Sequence, residues 1–163
     1  MTVHDISQPY IAVPSEYELE RNKPMPSLNH SAIQTNLIME LSPFRRLFRI
    51  TSELSLELSD WPSVPDICIY PKMPIDLKKD VITMKEPPLC AIEIISPTQS
   101  VDELRAKAVK YFEHGVRSCW IVIPAFANIY VFSSPDDYEI YRAPETLQDA
   151  VLDLSLPLKE VFE

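Results

Sequence analysis

The chain has 163 residues, 46% of them hydrophobic and 24% charged, which suits a globular protein with one core. Fifteen Lys and Arg stand against 24 Asp and Glu; the net charge of −9 argues against tight, non-specific nucleic-acid binding through a broad basic face, though not against a local basic groove or a metal-bridged phosphate. A single glycine, Gly115, excludes the glycine-rich phosphate loops and the GxSxG hydrolase elbow.

Residues 1–15 read as an irregular N-terminal arm and 16–163 as a single domain. The opening "MTVHDISQPY" has no basic segment followed by an apolar one, so no signal peptide is expected. No apolar run reaches the roughly 20 residues of a membrane span. Cys68, Cys90 and Cys119 lie singly in apolar runs without CxxC spacing, as reduced core residues of a cytoplasmic protein would.

In chain order, "EYELER" (16–21) reads as a short strand or the end of a helix, broken by "NKPMPS". Residues 28–41 predict a helix capped by Ser27 or Asn29, with Ile33, Leu37 and Leu41 one turn apart. "FRITSELSLEL" (48–58) predicts a strand, "WPSVP" a turn and "DICIY" (66–70) a second strand. Residues 71–88 read as a long loop, followed by a strand through "LCAIEII". "SVDELRAKAVKYFEHG" (100–115) predicts a helix opened by a Ser100–Glu103 capping box and closed by Gly115. "VRSCWIVI" (116–123) predicts a buried strand, residues 128–134 and 138–143 a hairpin, and "LPLKEVF" a short terminal helix. The order predicts an α/β fold around a mixed sheet flanked by helices.

Two acids stand out. Asp66 opens one predicted strand, and Glu93 lies inside the next, flanked by Leu89, Cys90, Ala91, Ile92, Ile94 and Ile95. If those strands are neighbours, the two carboxylates come close at one end of the sheet. They then require a shared proton or a cation. A hard divalent ion, Mg²⁺ or Mn²⁺, answers that need and can promote attack of water on a phosphodiester. Asp66 capping a turn and Glu93 facing solvent are the structural alternatives.

Pro65-Asp66, Glu93-Ile94-Ile95-Ser96-Pro97, Lys107, Tyr111, Gly115-Val116 and Trp120 resemble, in order and spacing, the pattern of the Uma family. These endonuclease-like bacterial proteins belong to the PD-(D/E)XK restriction-endonuclease-like superfamily. The resemblance covers about residues 16–162, with Tyr17-Glu18-Leu19 and His30 matching upstream family features. It implies a restriction-endonuclease-like core and a metal-dependent endonuclease acting on DNA. Asp66, Glu93 and the Ile94 carbonyl would hold the metal, and binding of DNA without metal would be weak. The superfamily's E-x-K lysine would fall at position 95, where this chain has Ile95. The family pattern places that role on Lys107, just outside the apolar arc of Val101, Leu104, Ala108, Tyr111 and Phe112. The alternative for Lys107 is a surface pair with Glu103.

Glu18 could complete the metal site or be an exposed strand residue. His30 could contact phosphate and act as an acid or base, or serve the helix start. Ser96 could support a ligand or cap a turn, Arg45, Arg46 and Arg49 form the best basic cluster, and Tyr111 and Trp120 read as core. Small nuclease-like domains often pair, so a homodimer is expected. The competing functional reading is a nuclease-like binding or regulatory protein that does not cut.

Overall fold

The computed structural model describes residues 13–21 and 23–163. The first twelve residues of the expected arm lie outside the described residues. Helix α1 (Glu16–Arg21) is opened by a reciprocal capping box. The Glu18 amide donates to Ser15 Oγ at 3.2 Å, and the Ser15 amide donates to the Glu18 carboxylate at 2.7 Å. Helix α2 (Leu28–Leu41) buries the predicted Ile33, Leu37 and Leu41 row. Ser27 is its cap, accepting the His30 amide at 3.2 Å.

The strands follow as β1 (Phe48–Ser52), β2 (Ser55–Leu58), β3 (Trp61–Ser63), β4 (Ile67–Pro71), β5 (Thr83–Met84) and β6 (Cys90–Ile94). After helix α3 (Val101–Glu113) come β7 (Ser118–Ile123), β8 (Asn128–Phe132), β9 (Tyr138–Arg142), β10 (Thr146–Asp149) and β11 (Leu154–Pro157). Among the described residues the main sheet has six strands in the order β1-β4-β6-β7-β8-β9. Its pairs are antiparallel except β6 with β7. Parallel neighbours need a long crossover, and α3 supplies it.

All five residues of β6 and all six of β7 are buried, as expected for strands covered on both faces. One face of the sheet carries Ile67, Ile69, Ile92, Ile94, Trp120 and Val122 against α2 and the C-terminal hairpin. The other carries Cys68, Ala91, Cys119 and Ile121 against Leu104, Ala108 and Tyr111 of α3.

Several expectations need correction. The strand expected over 48–58 is two strands. Glu53 between them has φ +57°, and β2 departs into a separate three-stranded sheet with β3 and β5. Part of the expected "WPSVP" turn is strand β3, and part of the expected 71–88 loop is β5. The tail forms no helix. Leu152, Leu154, Leu156 and Leu158 are buried in alternation, the period of a strand, and β11 pairs with β10. Val101, placed in the apolar arc of α3, is exposed.

Candidate metal and catalytic site

The antiparallel register of β4 and β6 pairs Ile67 with Ile92 and Cys68 with Ala91. Continued by one residue, it sets Asp66 opposite Glu93. The Ile94 amide donates to Asp66 Oδ2 at 2.7 Å, so the two strand ends are joined at the acids themselves. Both carboxylates are buried, at 1% and 2% exposure. Buried charge is tolerated only when paired and hydrogen-bonded, and each acid has its own partners.

Glu93 points toward α3. Its Oε1 accepts the Tyr111 hydroxyl at 2.6 Å and lies 2.6 Å from Lys107 Nζ. Both residues stand on α3 one turn apart, which is why the crossover helix delivers them together. Both donors converge on Oε1. The Tyr111 ring is held from outside by Trp61 of β3 in an edge-on contact, with centroids 5.1 Å apart. Burial, then the negative charge of Glu93, push the Tyr111 hydroxyl well above its usual pKa, so it stays protonated as the donor.

Asp66 is gripped from the N-terminal side. Its Oδ1 lies 2.5 Å from Lys23 Nζ and 3.1 Å from His30 Nε2. Burial pushes this carboxyl up, but the His30 hydrogen bond and the charge of Lys23 together outweigh it. Asp66 is held below the usual carboxylate range. Gln34 Nε2 adds a bond to the Asp66 carbonyl at 2.8 Å and another to Glu53 Oε1 at 3.2 Å.

The site thus brings together four sequence-predicted residues: Asp66, Glu93, Lys107 and His30. Ile94 joins them through its amide. Glu18 is placed elsewhere by its bonds. Its carboxylate takes the amides of Ser15 and Met25 (2.9 Å), and those bonds hold its pKa below the usual value. Ser96 closes a turn, with its amide donating to Gln99 Oε1 at 3.1 Å and its carbonyl accepting the Gln99 amide at 2.9 Å. Of the arginine cluster, Arg49 pairs opposite Tyr70, while Asp66 lies beyond the far end of β1, and the Arg49 guanidinium bonds the Met73 carbonyl. Trp120 is core, as expected, with its Nε1 donating to buried Asp149 at 2.8 Å.

Three participants were not singled out from the sequence. Lys23, Gln34 and Glu53 sit in a proline-flanked connection, on a helix face and at a strand break. Only Glu53, an acid where one long strand was expected, carried any local signal. Tyr111 reads as core from the sequence and is buried; its i, i+4 spacing to Lys107 is the one local sign of its hydroxyl contact with Glu93.

Glu93 Oε2, the Asp66 carboxylate and the Ile94 carbonyl are hard oxygen donors, the type Mg²⁺ and Mn²⁺ prefer. Among the described residues no three His, Cys, Asp or Glu side chains converge to hold a metal ion. Two carboxylates and a carbonyl are a partial donor set, of the kind Mg²⁺ takes when it keeps several waters. Two hollows are lined by the acids' partners rather than by the acids themselves, one by Lys107, Glu103 and Trp61, the other by His30, Ile95 and Phe126; Gln99 lines both.

The family model Uma2, described as "Putative restriction endonuclease", matches residues 15–162. A crystal structure of a "putative nuclease belonging to DUF820" from Anabaena variabilis superposes with TM-score 0.72 at 26% identity, covering 85% of this chain and 83% of that one. The α/β architecture is therefore nuclease-like. No protein of curated function matches the sequence.

Proposed function

This chain belongs to the Uma2 family, and on that premise we propose that it is a metal-dependent endonuclease hydrolysing phosphodiester bonds in DNA. The observation that carries the reading is the convergence of Asp66, Glu93 and Lys107 from two strands and the crossover helix. Asp66, Glu93 and the Ile94 carbonyl would hold Mg²⁺ or Mn²⁺. When bound, that ion supplies Lewis-acid activation of water and stabilises charge at the phosphate.

The chain's own residues do the rest. Tyr111 and Lys107 fix the Glu93 carboxylate by one oxygen, presenting the other. An ammonium has three donors. Lys107 spends one on Glu93 and is 23% exposed, so it can turn the others to a water or a phosphate oxygen. It thus takes up the task that Ile95 cannot perform, while Ile95 packs beside the α3-side core. His30 sits against Asp66 and lines the adjoining hollow, where it can meet substrate. A homodimer would present two such sites, one for each strand of a duplex, and sedimentation equilibrium tests for it.

A second reading, a nuclease-like binding protein that does not cut, is favoured by the full occupation of Asp66 in this structure. Plasmid DNA incubated with Mg²⁺ or Mn²⁺ and with wild type, Asp66→Ala or Glu93→Ala separates the two. Cleavage by wild type alone supports the nuclease. Cleavage that survives both substitutions removes the proposed site, and binding of DNA without cleavage supports the second reading.

A further inference from the structure

Lys23 and Lys107 approach the two acids from opposite sides, but they are not equivalent. Lys23 Nζ meets Asp66 Oδ1 at 2.5 Å, the Val64 carbonyl at 3.1 Å and Glu53 Oε2 at 3.3 Å. Three acceptors consume all three donors of an ammonium, so Lys23 has none to offer water or phosphate. Its side chain is 8% exposed, against 23% for Lys107. Lys23 therefore has the geometry of a bound cation rather than of a reagent.

The rest of the cage is built around it. Glu53 is a non-glycine residue at φ +57°, a conformation that costs energy and persists only where its surroundings demand it. Its amide donates to the Asp66 carbonyl at 3.1 Å, and Gln34 ties the same carbonyl to the Glu53 carboxylate. With Oδ1 shared by Lys23 and His30 and Oδ2 taken by the Ile94 amide, Asp66 has no oxygen free of a donor. A divalent cation reaching Asp66 would stand against an ammonium already in place, and like charges that close repel strongly.

We propose that Lys23 is an internal competitor for the metal: the connection between α1 and α2 holds its ammonium in the cation position at Asp66, and metal binding requires Lys23 to withdraw. The idea rests on the metal-site reading above and adds a gate to it. With Lys23 seated on Asp66 the gate is closed, and withdrawal of the Lys23 ammonium opens it. Without metal, Lys23 compensates the buried Asp66 charge; with metal, the ion takes over that task.

Calorimetric titration of Mn²⁺ into wild type, Lys23→Met and Lys23→Met/Asp66→Asn tests this, with folding of each checked by circular dichroism. Lys23→Met should bind Mn²⁺ at least tenfold more tightly than wild type, and the added Asp66→Asn should abolish the gain. Equal or weaker binding by Lys23→Met, with wild type still binding at Asp66, overturns the competition and leaves the metal site standing. Absence of Mn²⁺ binding in every folded form overturns both. Should Lys23→Met not fold, hydrogen exchange on wild type decides. Saturating Mn²⁺ should speed exchange across residues 23–27, and unchanged protection there overturns the gate.

Discussion

Glu93 shows how a single residue reports its own site. An acid inside a strand buried on both faces demands partners, and Tyr111 and Lys107 meet that demand at one oxygen. Tyr111→Phe should lower stability by about 1.5–3 kcal/mol, the range for a hydrogen bond to a charged group, read as a lower urea midpoint at unchanged slope. A midpoint equal to wild type would mean the hydroxyl contributes nothing. Asp66 makes a pH-dependent contribution of defined sign. Its folded pKa lies below the ordinary 3.8, so its stabilisation is present above that value and fades as pH falls through the lowered one. Asp66→Asn should therefore flatten the acid limb of urea stability measured from pH 6 to pH 3, whereas parallel limbs would show that Asp66 does not drive it. Both acids were legible in the sequence, because charge in or beside an apolar run is conspicuous. Lys23 was not: a lysine in a proline-flanked connection has no periodicity, and only the folded chain carries it to Asp66.

At the scale of elements, the β6-α3-β7 crossover carries most of the site. Ser100 caps α3 by accepting the Glu103 amide at 3.1 Å. Gly115 ends it at φ +94°, where an added Cβ would stand 3.2 Å from Pro87 Cγ. Gly115→Ala should cost about 1–2 kcal/mol in chemical denaturation, since the left-handed backbone penalises any Cβ and Pro87 crowds it. A loss near zero would mean the turn relaxes. This unit was readable because its helix signals are local: cap, apolar arc and terminal glycine. The C-terminal hairpin was misread for the opposite reason. Its Leu-x-Leu alternation competes with a charged, helix-compatible ending, and its partner β10 and its dock on β7 are tertiary. That dock is Asp149, which accepts Ser118 Oγ at 2.6 Å, Trp120 Nε1 at 2.8 Å and the Leu152 amide at 3.0 Å. Asp149→Ala strands all three donors in the core and should cost about 2–4 kcal/mol, with a shift in tryptophan fluorescence as Trp120 loses its partner.

For the molecule as a whole, the net charge of −9 and the buried acids point to the same consequence. That charge argues against holding DNA through a broad basic surface, so the proposed contact is a local one, through a basic groove or a metal-bridged phosphate, and the proposed metal site favours the second. Fluorescence anisotropy should show weak duplex binding in EDTA, strengthened at least tenfold by Ca²⁺ as a non-cleaving substitute, with a shallow dependence on salt. Equal binding with and without the ion would argue for a different contact surface. The fold class was legible because strand and helix order survive even where boundaries shift. The site was half legible: Asp66, Glu93, His30 and Lys107 converge, while Lys23 enters from a segment with no periodicity and Glu53 from a break inside what reads as one strand. The most direct test of the metal site is anomalous diffraction from a crystal soaked in Mn²⁺. A peak bonded to Asp66 and to Glu93 Oε2, with Lys23 displaced, is the expected result. A peak elsewhere, or no peak with Lys23 still seated on Asp66, would contradict it.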